Sequence, residues 1–272
     1  MLAARCLMPI VKFAQMQEMI LKGKKATKEI NNFLKISSDS GKGREIKDLK
    51  GVIECNNLQL IYPKNKNPVF ENLNFNISPG TVAVITGLNG SGKSTLIKIL
   101  AGVLDFTKGN YQIDQIAFNQ ISQAWYRKQL SYSPQEPLFV DGTLGENIVG
   151  SNKVASKLLS EILIEVDLIN YVNVHEQGIN MLLSNRGEEL PLGIRKRISH
   201  ARSLINDGKI VLFDEPTEGL DISGRESILK LITKFKSENK TVIIASNDAE
   251  ISKKADIEID LNGKPKPNVI IK

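Results

Sequence analysis

The stretch TVAVITGLNGSGKST, residues 81–95, constrains this chain more than any other. Residues 81–86 are a short apolar run, which reads as a buried parallel strand. A helix is expected from about Lys93 to Leu104. Between them, Gly87 to Thr95 fits the pattern G-x-x-x-x-G-K-[ST] in the strand-loop-helix context that makes it credible. Glycines there let backbone N–H groups turn inward around phosphate oxygens, and the helix N-terminus adds positive potential. Lys93 can then reach β- and γ-phosphates, and the Ser94 hydroxyl can ligate Mg²⁺. The plainer alternative is a Gly-rich turn between strand and helix.

A second stretch, VLFDEP at 211–216, argues against that alternative. Asp214 ends an apolar strand, where it can hold a Mg²⁺ shell. Glu215 stands beside it, where a carboxylate could polarise an attacking water. Two unpaired acids capping a buried strand are costly as mere structure. Elsewhere, GVIECNNLQLIYP and NLNFNIS alternate like antiparallel strands. KIVLFD and KTVIIAS read as two further buried strands with a helix of about Gly224 to Glu238 between them. Strand-helix-strand units with apolar strands imply a parallel sheet. After Gln135 the chain turns helical until about Asn206.

Charge and composition narrow the class. Residues 1–50 carry 11 Lys or Arg against 5 Asp or Glu, whereas residues 51–272 carry 25 of each. The body is therefore electrically neutral and offers no footprint for nucleic acid. The basic N-terminal segment suits an acidic surface such as lipid headgroups, or simply solvent. Residues 8–35 read as a helix with an irregular apolar stripe that includes Met16, Met19 and Ile20, and 37–51 as a Gly-rich linker. Cys6 and Cys55 lack metal-ligand spacing and read as reduced thiols. His175 and His200, the only histidines, argue against a histidine metal site and read as surface or interhelical residues. Trp125 and Tyr126 read as packing residues. No run reaches 18 apolar residues, so no bilayer span is expected. The first 15 residues lack a signal-peptide pattern.

Lys93, Asp214 and Glu215, together with EPTEGLD, resemble the nucleotide-binding domain of an ABC ATPase. The resemblance runs over about 52–262. It implies an α/β fold: a P-loop NTPase core, an antiparallel β lobe and an α-helical subdomain of about 137–207 within a domain of 52–272. It implies ATP and Mg²⁺ as ligands. Gly87, Asn89, Gly90, Ser91, Gly92, Lys93, Ser94 and Thr95 would bind nucleotide, with Tyr62 stacking on adenine. Gln135 in YSPQEP would join Ser94 and Asp214 around the metal, partly through water. Glu215 and Asn247 would be catalytic. Asp221 would contact a second cassette in a head-to-tail dimer, where ATP lies between the P-loop of one subunit and the signature helix of the other.

Two departures from the family pattern stand out. In LPLGIRKRISHARSL, Leu190 and Gly193 match the signature L-S-G-G-Q, while Pro191, Leu192 and Ile194 replace serine, glycine and glutamine. Pro191 suits a first helical position, and Ile194, Ile198, Ala201 and Ile205 form an apolar stripe opposite a basic outer face. Loss of the serine hydroxyl predicts weakened rather than abolished dimer closure. In TVIIASNDAE, Asn247 stands where the family places a histidine; it can donate a hydrogen bond but cannot become cationic, so slower and less pH-sensitive hydrolysis is expected.

Three segments look like those of exporters. They are SPQEPLFVDGTLGENI, RGEELPLG, and LPLGIRKR with FDEPTEGLD, which resembles one branch of type I protein-secretion ATPases in which the serine is likewise replaced. Residues 1–36 resemble the cytosolic end of a last transmembrane helix. The resemblance thus implies a transmembrane permease, separate or part of a longer chain, with a periplasmic adaptor and an outer-membrane channel. It implies a place on the cytoplasmic face of the inner membrane. A nucleotide-binding regulatory partner with little hydrolysis of its own is the alternative.

Overall fold

The structure, a computed structural model, describes residues 16–25, 27, 43–63, 65–150 and 152–272. Residues 1–42 and 43–272 are separate compact units. In the first, residues 16–25 form helix α1 and are exposed, Met16, Met19, Ile20 and Leu21 included. The rest of the helix expected over 8–35, the remainder of the 1–36 segment expected to approach a membrane span, residues 37–42 of the expected 37–51 linker and Cys6 lie outside the described residues.

Within 43–272, β1 (Ile53–Leu60) and β2 (Phe70–Ile77) pair antiparallel. They join β4 (Lys108–Ile113) and β5 (Ile116–Ala117) in the order β2-β1-β4-β5. Alternation selects Ile53, Cys55, Leu58 and Leu60 from β1 for the core. The period slips at Asn56 and Asn57, where the register with β2 also shifts and Asn57 has φ 52°. An extra residue of this kind is a β-bulge.

The larger sheet contains β3 (Val82–Thr86), β6 (Leu130–Ser133), β9 (Ile210–Asp214), β10 (Thr241–Ala245), β11 (Ile257–Asp260) and β12 (Asn268–Ile271). Its order is β12-β11-β3-β10-β9-β6, parallel except at β12. The expected buried strands are continuous apolar runs because both faces are covered. Ala83, Ile85, Leu212 and Ile243 face one core with Leu96, Ile97 and Leu100 of α2 (Lys93–Leu100). Val84, Val211, Phe213 and Ile244 face the other, with Ile228, Leu231, Ile232 and Phe235 of α8 (Ile222–Ser237). Helix α2 stops at Leu100, short of the expected Leu104, because Gly102 turns the backbone left-handed at φ 70°.

The remaining helices are α3 (Gln123–Lys128), α4 (Leu144–Val149), α5 (Ser156–Glu165), α6 (Ile169–Val174), α7 (Leu192–Asn206) and α9 (Ala249–Lys253). The run after Gln135 is less uniformly helical than expected. A two-stranded ribbon of β7 (Gly142–Thr143) and β8 (Leu182–Leu183) interrupts it. Thr143 and Glu146 form a capping box that starts α4.

Candidate functional site

Strands β3, β10, β9 and β6 lie side by side and parallel, so their carboxyl ends share one edge. Ligands of open parallel sheets bind at that edge. Each strand delivers chemistry there: β3 the Gly87–Thr95 loop, β10 Asn247, β9 Asp214 and Glu215, and β6 Gln135.

The loop is a backbone cradle. Gly87, Gly90 and Gly92 have φ of 145°, 76° and 112°. A Cβ on Gly92 would lie 2.6 Å from Val69 Cγ1. Gly92 is also the N-cap of α2 and offers no side-chain acceptor, so the first-turn amides stay available to an anion. Ser91 Oγ is buried without a hydrogen-bond partner. Lys93 Nζ donates to Gly87 O at 2.7 Å and lies 3.3 Å from Glu215 Oε1. Ser94 Oγ donates to Asp214 Oδ1 at 3.1 Å and lies 3.4 Å from Gln135 Oε1. Thr95 Oγ1 and the Tyr62 hydroxyl are hydrogen-bonded at 2.9 Å. Tyr62, Asn65, Asn67, Val69, the loop from Leu88 to Thr95 (Asn89 included), Gln135, Glu215 and Lys264 line a cleft of about 550 Å³.

Electrostatics suit a cation. Burial raises the carboxyls of both Asp214 and Glu215, against the pull of Lys93 nearby. Burial, rather than a lack of neighbouring lysines, is what disfavours their charge, and a bound divalent cation would offset it. Hydroxyl, amide and carboxylate oxygens from Ser94, Gln135 and Asp214 form a hard donor set of the kind Mg²⁺ takes. Together with the unpartnered Ser91 Oγ, the residues present fit a nucleotide-bound Mg²⁺.

Asn247 faces the loop directly. Its Nδ2 donates to Gly87 O at 2.9 Å and its Oδ1 accepts from Gly87 N at 3.1 Å. Leu190, Pro191, Leu192, Gly193 and Asp221 do not line this cleft. Pro191 is the N-cap of α7, one position earlier than the sequence suggested, and caps with no side chain. Its carbonyl accepts from Ile194 N at 3.0 Å and Arg195 N at 3.1 Å. Leu190 packs against the second core. Leu192 packs over Gly219, and a Cβ on Gly193 would meet Gly219 O at 2.7 Å. Asp221 caps α8 through Gly224 N at 2.9 Å and accepts from Arg197 at 2.6 Å.

Two expectations need correcting. Helix α7 has no basic outer face at Lys196 and Arg197, because both are buried. Lys196 serves three backbone carbonyls, and Arg197 bridges Asp167 and Asp221. Of the two alternatives for His200, the surface one fails: it is fully buried, its ring 5.3 Å from that of Phe213, and burial drives its pKa down to about 3. Tyr126 packs as expected, buried with its hydroxyl donating to Leu100 O.

Sequence reading missed Lys196, Glu218 and Lys264. Glu218 accepts from Gln135 Nε2 at 3.2 Å, and Lys264 Nζ donates to Gly90 O at 2.8 Å. A signal for Lys196 existed. Lys196, Ser199, His200 and Ser203 recur at i, i+3, i+4 and i+7, which is one helix face. Ser199 shares a hydrogen bond with Ser133 on β6, and Ser131 Oγ donates to Ser203 O, so that polar face packs against the sheet.

The fold and the cleft define a P-loop nucleotide-binding domain with an antiparallel lobe. Residues 70–218, more than half of the chain, match the ABC transporter family model, and the chain belongs to that family, whose ATP-binding domains are ATPases. It is 31% identical over 242 residues to ABC transporter B family member 13 of Arabidopsis thaliana, covering 86% of this chain and 19% of that protein. It is 32% identical over 198 residues to the glutathione/L-cysteine transport system ATP-binding/permease protein CydC of Haemophilus influenzae, covering 72% of this chain and 34% of that one. The chain thus spans about a third or less of these relatives. In fold it resembles a bacterial Atm1-family ABC exporter solved with ATP bound (TM-score 0.79, 21% identity, 93% of this chain and 45% of that one).

Proposed function

We propose that this chain is the ATP-binding and hydrolysing part of an ABC exporter. One observation carries the reading: Lys93, Ser94, Gln135, Asp214 and Glu215 meet at one cleft beneath a Gly-rich helix N-terminus. The loop amides and Lys93 would hold the phosphates. Ser94, Gln135 and Asp214 would hold Mg²⁺, which supplies charge neutralisation at the phosphates when bound. Glu215 would accept a proton from the attacking water. Tyr62 would take the adenine side of the cleft, and Asn247 would steady the loop and reach the γ-phosphate.

The working unit is a head-to-tail pair of cassettes. Leu190 to Gly193 and Asp221 lie outside this chain's own cleft, as residues that serve a partner's nucleotide would. Residues 137–207 would form the helical subdomain that meets a transmembrane permease. Among the described residues no helix is long and apolar enough to cross a membrane. The permease would therefore come from other residues and place this domain on the cytoplasmic face of the inner membrane. The relatives support an exporter in general. Protein secretion, with its periplasmic adaptor and outer-membrane channel, is the finer reading and rests on the resemblance of LPLGIRKR and FDEPTEGLD.

Steady-state Mg²⁺-ATP hydrolysis by the purified chain tests this, with Glu215→Gln and Lys93→Ala as controls. Turnover that disappears in both variants supports a motor. A second reading, a regulatory partner with little turnover, draws on Pro191, which caps α7 with no side-chain bond, and on the engaged Asn247. Wild-type turnover no greater than that of Glu215→Gln, with nucleotide binding retained, would support it instead.

A further inference from the structure

Lys196 is wholly buried, which is costly for an ammonium unless every donor is met. A lysine has three N–H donors and no acceptor. Lys196 Nζ faces three backbone carbonyls: Glu215 O at 2.9 Å, Asp214 O at 3.1 Å and Pro134 O at 3.4 Å. The match of three donors to three acceptors is complete. None of these acceptors is a side chain, so the ammonium acts on the path of the backbone.

That path is unusual at Glu215, which has φ 46° although it is not glycine. A left-handed side-chain-bearing residue persists only where its surroundings over-determine it. Here they do. The Glu215 N–H donates to Ala245 O at 2.8 Å on one side. On the other, Glu215 O accepts from Lys196 Nζ and from Glu218 N. The third carbonyl, Pro134 O, immediately precedes Gln135, whose amide oxygen lies beside Ser94.

We propose that Lys196 is a positioning residue for ATP hydrolysis, holding Glu215 in its left-handed turn and tying that turn to the Gln135 segment. The proposal rests on the ATPase reading above. It has a mechanical corollary. Lys196 lies on α7, four residues from the Leu192 start of the helix whose N-terminus would face a partner's nucleotide. A displacement of that end would reach the backbone of the Glu215 turn through the Lys196 side chain. A neutral side chain cannot replace it fully: glutamine offers two donors and methionine none.

The test uses the full chain with Lys196→Met, Lys196→Gln and Lys196→Arg. Three quantities are read: kcat and KM for Mg²⁺-ATP, affinity for a non-hydrolysable ATP analogue, and backbone hydrogen exchange by peptide. Lys196→Met should lower kcat by about tenfold or more while KM and analogue affinity hold within about threefold. Amides of 215–218 should exchange about tenfold faster, with β3 and β10 unchanged. Lys196→Gln should fall between, and Lys196→Arg should retain more turnover than Lys196→Met. If Lys196→Met fails to fold, Lys196→Gln carries the same comparison. Unchanged kcat and unchanged exchange at 215–218 would overturn the proposal. So would a uniform rise in exchange with ATP affinity lost in parallel, which marks an ordinary core strut. If the wild type shows no turnover, the ATPase reading fails, and the exchange pattern still decides whether Lys196 holds the turn.

Discussion

Asn247 and Gly87 pair through two hydrogen bonds, the side-chain amide of one taking both the N–H and the C=O of the other at 3.1 and 2.9 Å. The amide thereby imitates a neighbouring strand just beyond the end of β10 and holds the first residue of the phosphate loop. Lys93 donates to the same carbonyl, at 2.7 Å. Two side chains, Asn247 and Lys93, thus anchor the first residue of the loop.

Replacing Asn247 by Ala removes both bonds and leaves Gly87 N without its acceptor. Each bond contributes about 0.5–1.5 kcal/mol, so a loss of roughly 1–3 kcal/mol is expected in denaturant unfolding, with weaker ATP binding. Asn247→His tests the chemistry separately. An imidazole titrates near neutrality, so turnover should acquire a pH dependence around about 6.5 that the wild type lacks. Identical pH profiles for the two proteins would show that residue 247 is remote from the reacting phosphate.

Pro191→Ser should restore a side-chain acceptor and donor at the start of α7. A hydrogen bond to a charged group contributes roughly 1.5–3 kcal/mol, so nucleotide-dependent dimerisation should tighten by about 10- to 150-fold. Sedimentation in a Glu215→Gln background, with ATP present, reads this directly. The same serine should raise monomer stability by about 1 kcal/mol as a helix cap. A tighter monomer fold with no tighter dimer would place the α7 N-terminus away from the partner's nucleotide.

Local patterns were legible and long-range pairings were not. The Gly87–Thr95 loop, Asp214 and Glu215 each lie in a short contiguous stretch whose spacing carries the chemistry. The apolar strands β3, β9 and β10 announce themselves because both faces are buried. Strand β6, LSYS, is different. Ser131 and Ser133 look like solvent-facing residues until their hydroxyls meet α7. Lys196 was hidden by the same ambiguity, since a polar helix stripe reads as solvated unless its partners are known. The engagement of Asn247 depends on β10 lying beside β3, a contact 160 residues apart in the chain.

Gly193 and Gly90 should respond differently to alanine, although both are glycines of the nucleotide and signature segments. A Cβ on Gly193 would lie 2.7 Å from Gly219 O, a backbone atom that cannot rotate away. The start of α7 or the loop before α8 must then shift, at about 1–3 kcal/mol. A Cβ on Gly90 would have nothing within 4 Å, but the residue sits at φ 76°, so its alanine costs about 1–2 kcal/mol through backbone strain. Thermal unfolding of both variants, with and without ATP, separates them. Gly193→Ala should lose stability with the shape of the nucleotide cleft intact, whereas Gly90→Ala should also lose the stabilisation that ATP confers.

His200→Leu should alter how stability depends on acid. His200 is buried beside Phe213, neither ring nitrogen has a hydrogen-bond partner, and Lys196 and Arg197 add to burial in disfavouring its charge. Its pKa falls from 6.5 to about 3 on folding. Between those values the unfolded chain binds a proton that the folded chain does not, so this group makes stability fall as pH falls below about 6.5. From pH 7.5 to 5.5 the wild type should lose about 1.4 kcal/mol through this residue, and His200→Leu should lose none of it. At pH 7.5 the leucine should be near neutral or stabilising, because it removes two unpaired polar atoms from the core. Urea unfolding at both pH values measures each number. An equal acid loss in the two proteins would mean that His200 reaches solvent or a hidden partner in the folded state.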